Sequence, residues 1–161
     1  MAALRLPPTR LGRFAESIGF HLRLAHEAAQ RDIAAGIAAT GLEPAHAEVL
    51  TVIGENAGIM PSLIAEALGR DRSSITGTLH VLTDRGLIQR ERTRRDRRAS
   101  LLRLTDAGEA MLQRLHEASA AHDARLDRIA AADKFLLIEH LRRITATLAD
   151  GDRNDDPSHD V

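Results

Sequence analysis

Seven arginines occupy the sixteen positions of "RERTRRDRRASLLRLT", residues 90–105. A guanidinium presents its donors in a planar fork that matches phosphate and carboxylate oxygens, so a cluster this dense suits a polyanion. From Met60 to Thr105 ten arginines stand against five acids, a local balance of +5, and a whole-chain charge of −1 leaves −6 for the remainder. That asymmetry is what a phosphate-binding module on an acidic scaffold shows, because each phosphate contact displaces condensed counterions. A solvated arginine-rich hairpin stays open beside it, since Lys134 is the only lysine and arginine fills nearly every basic position.

Other chemistries leave weaker traces. "HEAAQ" at 26–30 and "HEASA" at 116–120 begin like the zinc-protease motif H-E-x-x-H, but each lacks the second histidine that supplies a ligand one turn later. There is no phosphate-binding glycine loop, no G-x-S-x-G elbow and no glycine pattern after a strand, so the reading is a non-enzyme without a cofactor. His21, His26, His46, His116, His122 and His140 could converge across helices, which keeps a zinc-responsive protein as an alternative although no metal site is assigned. With no cysteine, disulfides and thiolate metal sites are excluded. Neither an apolar run of about 18 residues nor a charged-then-apolar leader occurs, so the expectation is a cytoplasmic protein without membrane contact.

The elements that must position the arginines follow from periodicity. Phe14, Ile18, Leu22, Ala25, Ala29, Ile33 and Ile37 recur at spacings of three and four, which predicts one long helix from Leu11 to about Thr40. Gly41 stops it, and Pro44 fits the first turn of a second helix with Val49, Leu50 and Ile53 inward. A third short helix spans Ser62 to Leu68 and ends at Gly69. Asp71 can cap a fourth through Arg85, with Ile75, Leu79 and Leu82 buried and Gly86 as the left-handed stop. Beyond it "LIQRERT" and "ASLLRL" read as two short strands around the charged tip "RRDRR". Thr105 caps a long helix to about Ile129, with Met111, Leu115, Ala118 and Leu126 inward, and Asp133 starts a last helix carrying Phe135, Ile138, Leu141, Ile144 and Leu148. A flexible arm (1–10) and an acidic, disordered tail (150–161) flank these elements.

Helix, helix, turn, helix and a two-stranded hairpin make a winged helix-turn-helix: mainly α, with a small β-hairpin wing. The fourth helix has an outer face of Ser73, Ser74, Thr76, Gly77 and His80, beside Arg72, small or hydrogen-bonding residues that let a helix settle into a major groove about 12 Å wide. Arg94, Arg95, Arg97 and Arg98 at the hairpin tip would then reach phosphates or the narrow groove, where the potential is most negative. The basic segment holds no aromatic residue, which argues against base stacking and favours duplex DNA over single strands or RNA. A winged helix used only for docking an acidic protein partner remains the other reading.

Residues 60–112 carry a resemblance. "LIAEALGRDRSSITGTLHVLTDRGLIQRERTRRDRRASLLRLTDAGEAML" is similar to the MarR family of bacterial transcription regulators, which share L-A-x-x-L, R-S, L-x-x-R-G-L-I, and D-x-R before L-T-x-x-G. The resemblance implies a homodimer held by helical regions 11–40 and 106–149 around a DNA-binding lobe at 41–105. It further implies a pseudo-palindromic operator, repression, and release by a small molecule. By position, Arg98 looks like the wing arginine that enters the minor groove and Asp96 like its orienting partner. Gly77, His80 and Val81 depart from the pattern, since many relatives carry arginine, aspartate and a basic residue there.

An effector cleft in such a chain would lie between the DNA-binding lobe and the dimerisation helices. Phe14, Ser17, Ile18, His21 and His46 offer an apolar slot with polar handles for an aromatic acid or phenol; the same residues also suit a dimer core with His21 a spectator. "ESIGFHLRLAHEA" is similar to the first helix of MarR members that sense hydroxycinnamoyl-CoA or related aromatic acyl-CoA thioesters. The likeness implies a CoA phosphate meeting Arg23 or another arginine of that helix.

Overall fold

The computed structural model describes residues 10–92 and 100–154. Six α-helices and one antiparallel hairpin account for most of them: α1 (Ile18–Ile37), α2 (Pro44–Glu55), α3 (Pro61–Leu68), α4 (Arg72–Asp84), β1 (Ile88–Arg92), β2 (Ser100–Leu104), α5 (Asp106–Ala130) and α6 (Lys134–Asn154). The chain divides within α5 into two compact units, residues 1–119 and 120–161.

In the first unit each stop is chemically explicit. Gly41 closes the 3-10 turn (Ala38–Thr40) that follows α1, and Gly69 and Gly86 close α3 and α4, at φ of +69°, +59° and +66°, a conformation that a Cβ would strain. Pro44 and Pro61 open α2 and α3, where a missing N–H costs nothing. The core that these helices enclose is entirely aliphatic. Val49, Leu50 and Ile53 of α2, Ile64 of α3, Ile75, Leu79 and Leu82 of α4, and Leu102 of β2 are all fully buried in one cluster, to which Leu115 of α5 also belongs. Side chains of this size contribute about 1.5–3 kcal/mol each on burial, which fixes the tilt of α4 against α2 and α3.

β1 and β2 pair in register, Ile88 opposite Leu104 and Arg92 opposite Ser100. Ile59 adds an isolated antiparallel bridge to Leu102, in which Gly58 N–H donates to Leu102 O (2.8 Å) and Leu102 N–H donates to Ile59 O (2.9 Å). The hairpin is thereby anchored to the loop between α2 and α3. Thr105 locks its other end, since its Oγ1 donates to Gly86 O (2.6 Å) and accepts from Gly108 N–H (3.1 Å).

Three expectations need correction. The first helix is not continuous from Leu11: a 3-10 turn (Gly12–Glu16) precedes α1, because Ser17 adopts an extended backbone and accepts Phe20 N–H at its Oγ (3.3 Å), the geometry of an N-cap. Only the end of that apolar stripe is covered, Ile37 being buried while Phe14 and Ile18 are exposed. In the second unit Leu126, expected inward, is exposed, as are Phe135, Leu141 and Leu148 of the last helix; a 3.6-residue period marks a face without supplying what covers it. Helix α6 continues through Asn154, so 150–154 is helical and not part of a disordered tail, while 155–161 and the first nine residues lie outside the described residues. Among the described residues no helix is long and apolar enough to cross a membrane.

Candidate nucleic-acid interface and ligand cleft

The outward face of α4 carries Arg72, Ser73, Ser74, Thr76, Gly77 and His80, all exposed, opposite the buried Ile75, Leu79 and Leu82. Asp71 organises its start. The Asp71 carboxylate accepts Ser74 N–H (2.8 Å), Ser74 Oγ–H (2.6 Å) and Ser73 Oγ–H, which caps the helix. These two hydroxyls, and then the Ser74 amide, hold the Asp71 carboxyl well below the usual carboxylate range, because each hydrogen bond favours the charged form.

This arrangement sets the polarity of the face. A hydroxyl has one proton, and carboxylates and carbonyls only accept, so Ser73 and Ser74 spend theirs on Asp71, and Thr76 spends its own on Arg72 O (2.8 Å). All three keep only lone pairs, an acceptor's capacity, for a further partner. In a major groove the matching donors are the amino groups of adenine N6 and cytosine N4. A Cβ added at Gly77 would meet nothing within 4 Å, and its φ is ordinary, so neither packing nor backbone geometry in this chain requires a glycine there.

The ten arginines of the basic region do different work. Arg85 Nη1 donates to Gly41 O (2.6 Å), Arg70 Nη2 pairs with Glu48 Oε2 (2.6 Å), and Arg103 Nε pairs with Glu91 Oε2 (2.8 Å). These three brace the lobe, a role their sequence neighbourhood does not reveal because their partners lie 44, 22 and 12 residues away. Arg94, Arg95, Asp96, Arg97 and Arg98 lie outside the described residues.

Of the residues expected around an effector, several meet at the N-terminal end of α1. Phe14 stacks on Phe20 (5.6 Å between centroids), Phe20 meets the His21 ring edge-on (5.5 Å), and Arg23 lies over Phe20 (5.3 Å) while pairing with Glu27 (2.6 Å). Ile18 and His21 also line a shallow groove with Glu16, Leu22 and Ala25. Ser17 serves as the α1 cap, and His46 Nδ1 accepts Glu43 N–H (3.3 Å) at the start of α2. Phe20, central to this cluster, is missed by the sequence reading because it falls off the stripe.

An apolar cleft of about 340 Å³ sits elsewhere in the first unit, among α1, α2, α3 and α5. Ile33, Ile37, Val52, Leu68 and Leu115 form its walls, with Glu48, Thr51, His116 and Ser119 as polar points. None of the six expected effector residues lines it. Among the described residues no three of His, Cys, Asp and Glu are grouped to hold a metal ion.

Comparison with known proteins matches this geometry. Residues 40–99 match the family model MarR_2, described as the MarR family. A candidate transcriptional regulatory protein for the hcr operon of Thauera aromatica is 36% identical over 135 residues, 83% of this chain and 81% of that protein. The transcriptional repressor CouR bound to a 23-mer DNA duplex superposes with a TM-score of 0.76 at 32% identity, over 89% of this chain and 99% of CouR. CouR bound to p-coumaroyl-CoA gives 0.76 at 30% identity, over 84% and 96%. With its winged helix-turn-helix, its exposed α4 face and this likeness along most of its length, the chain belongs to the MarR family of DNA-binding transcription regulators.

Proposed function

We propose that this chain is a homodimeric, cytoplasmic repressor that binds a pseudo-palindromic operator and is released by an aromatic acyl-CoA thioester. The observation that carries this reading is the outward face of α4, small, hydroxyl-rich and exposed, on a chain similar over 89% of its length to a repressor solved on duplex DNA. Two such helices enter successive major grooves only if held about 34–36 Å apart. Apolar surface supports the pairing: Ile129 and Phe135 are each 81% exposed and Leu148 70%, in a second unit that gives them no cover. Exposure on this scale marks a surface meant for a partner, here a second copy.

Recognition is assigned to Arg72, Ser73, Ser74, Thr76, Gly77 and His80 in the major groove, and to Arg94, Arg95, Arg97 and Arg98 at phosphates and the minor groove, with Asp96 orienting Arg98. The ligand's aryl arm is assigned to the apolar cleft, whose volume of about 340 Å³ falls in the range of small-molecule sites. Phe14, Phe20, His21 and Arg23 form a second patch suited to the CoA portion, Arg23 facing a phosphate. The ligand acts only through unequal affinity for the DNA-competent and incompetent arrangements.

Footprinting on the DNA upstream of the protein's own gene, with and without p-coumaroyl-CoA, tests the reading. A protected inverted repeat that is lost on adding the thioester is expected. Equal protection of random duplexes would instead favour a docking module, and release by chelator alone a zinc-responsive regulator.

A further inference from the structure

We propose that the Glu48–Arg70 ion pair carries the state of the cleft to α4, and that a hydroxyl on the ligand's ring is the group that disturbs it. This inference rests on the cleft being the effector site. Glu48 is the one acidic side chain lining that cleft, and its Oε2 is held by Arg70 Nη2 at 2.6 Å from a position 22 residues on. Arg70 stands at the joint between two helices: its N–H closes α3 on Ala65 O (2.9 Å), and the next residue is Asp71, the cap of α4. Its side chain thus ties the turn before α4 to the wall of the cleft, and with both partners partly covered (29% and 38% exposed) the pair lies within a ligand's reach.

The lining chemistry selects the ligand. Thr51 Oγ1 donates its proton to Ala47 O (2.9 Å), and Ser119 Oγ donates to His116 O (3.3 Å). Glu48 can only accept. A ligand carboxylate beside it meets like charge, whereas a neutral ring bearing a hydroxyl donates to it and competes with Arg70. Loss of that hold lets the α3–α4 turn relax, and α4 is then no longer set for the groove.

The experiment is a double-mutant cycle on operator affinity without ligand, joined to a comparison of two thioesters. Glu48→Ala should weaken operator binding about three- to fivefold, the scale of a partly exposed ion pair, leaving random-duplex binding unchanged and lowering the melting temperature by no more than about 4 °C. In an Arg70→Ala background the same substitution should change nothing further. Saturating p-coumaroyl-CoA should weaken operator binding by wild type about three- to fivefold more than cinnamoyl-CoA, which lacks only the ring hydroxyl and should still bind by calorimetry. Additive mutations, tighter operator binding by Glu48→Ala, or equal release by the two thioesters would overturn the proposal. Should neither thioester bind wild type, the effector reading falls separately, and the ligand-free cycle still decides whether the pair controls α4.

Discussion

Gly108 and Gly77 make a matched pair in which one substitution should act with opposite signs. Gly108 is buried in the first turn of α5, and a Cβ there would land on the Leu87 carbonyl oxygen, 3.0 Å from the Leu87 carbonyl carbon and 3.3 Å from Leu104 Cβ. Unbonded carbons ordinarily sit about 3.5–4.0 Å apart, and the Leu87 peptide cannot retreat freely. Its N–H donates to Leu82 O (2.9 Å) and its carbonyl accepts Thr105 N–H (3.1 Å), so a shift strains the α4 exit and the foot of the wing together. Overpacking costs about 1–3 kcal/mol, and a weakened hydrogen bond adds about 1 kcal/mol. The gain from replacing a helical glycine offsets at most about 1 kcal/mol. Gly108→Ala should therefore lose about 1–3 kcal/mol, which for a chain of this length lowers Tm by roughly 2–12 °C. Gly77→Ala enters open space at a helical φ, and should gain about 0.4–1 kcal/mol, or roughly 1–4 °C. Thermal melts followed by circular dichroism at one fixed protein concentration make the comparison, since association shifts Tm by mass action. A Gly108→Ala protein melting no lower than wild type would refute the packing argument, as would a Gly77→Ala protein that melts lower.

Arg98→Ala is expected to weaken operator binding and to flatten the log–log salt dependence by about 0.9, the loss of one phosphate contact; anisotropy titrations across a salt series read both, and an unchanged slope removes the wing arginine from the contact list. Asp71 contributes stability through a carboxyl held below its ordinary 3.8, so the contribution is complete above about pH 5 and fades as pH falls further, through the folded-state value. Asp71→Asn should accordingly flatten the fall in Tm between neutral pH and pH 3, and parallel curves for the two proteins would show that the cap is not charge-dependent. Ser74→Ala and His80→Ala should alter base preference in selections from random duplex libraries while leaving overall affinity for random DNA nearly intact. Preferences identical to wild type would take the outer face of α4 away from the bases.

Much of the lobe was legible before any coordinates because helix signals are local. Gly41, Gly69 and Gly86 stop helices by their own backbone freedom, Asp71 caps α4 three residues from the N–H it accepts, and Ile75, Leu79 and Leu82 share a face by the 3.6-residue turn alone. The exposed α4 face follows from the same period. Even the motif L-T-x-x-G was visible as a pattern, though its reasons were not: Thr105 meets Gly86 O, and Gly108 leaves room for Leu87.

Tertiary structure decided the rest, because it depends on where the chain returns. Equal arginines in one basic segment separated into braces, Arg70 on Glu48, Arg85 on Gly41 and Arg103 on Glu91, only when distant acceptors came within hydrogen-bond reach. The apolar cleft gathers residues from α1, α2, α3 and α5 that no periodicity links. A repeating stripe could say which side of α6 is apolar, but not that Phe135 and Leu148 would stand uncovered in a single chain. Periodicity and caps are properties of neighbouring residues, and the sequence by itself determined those; partners, clefts and covered faces are properties of closure in space, and only the fold supplied them.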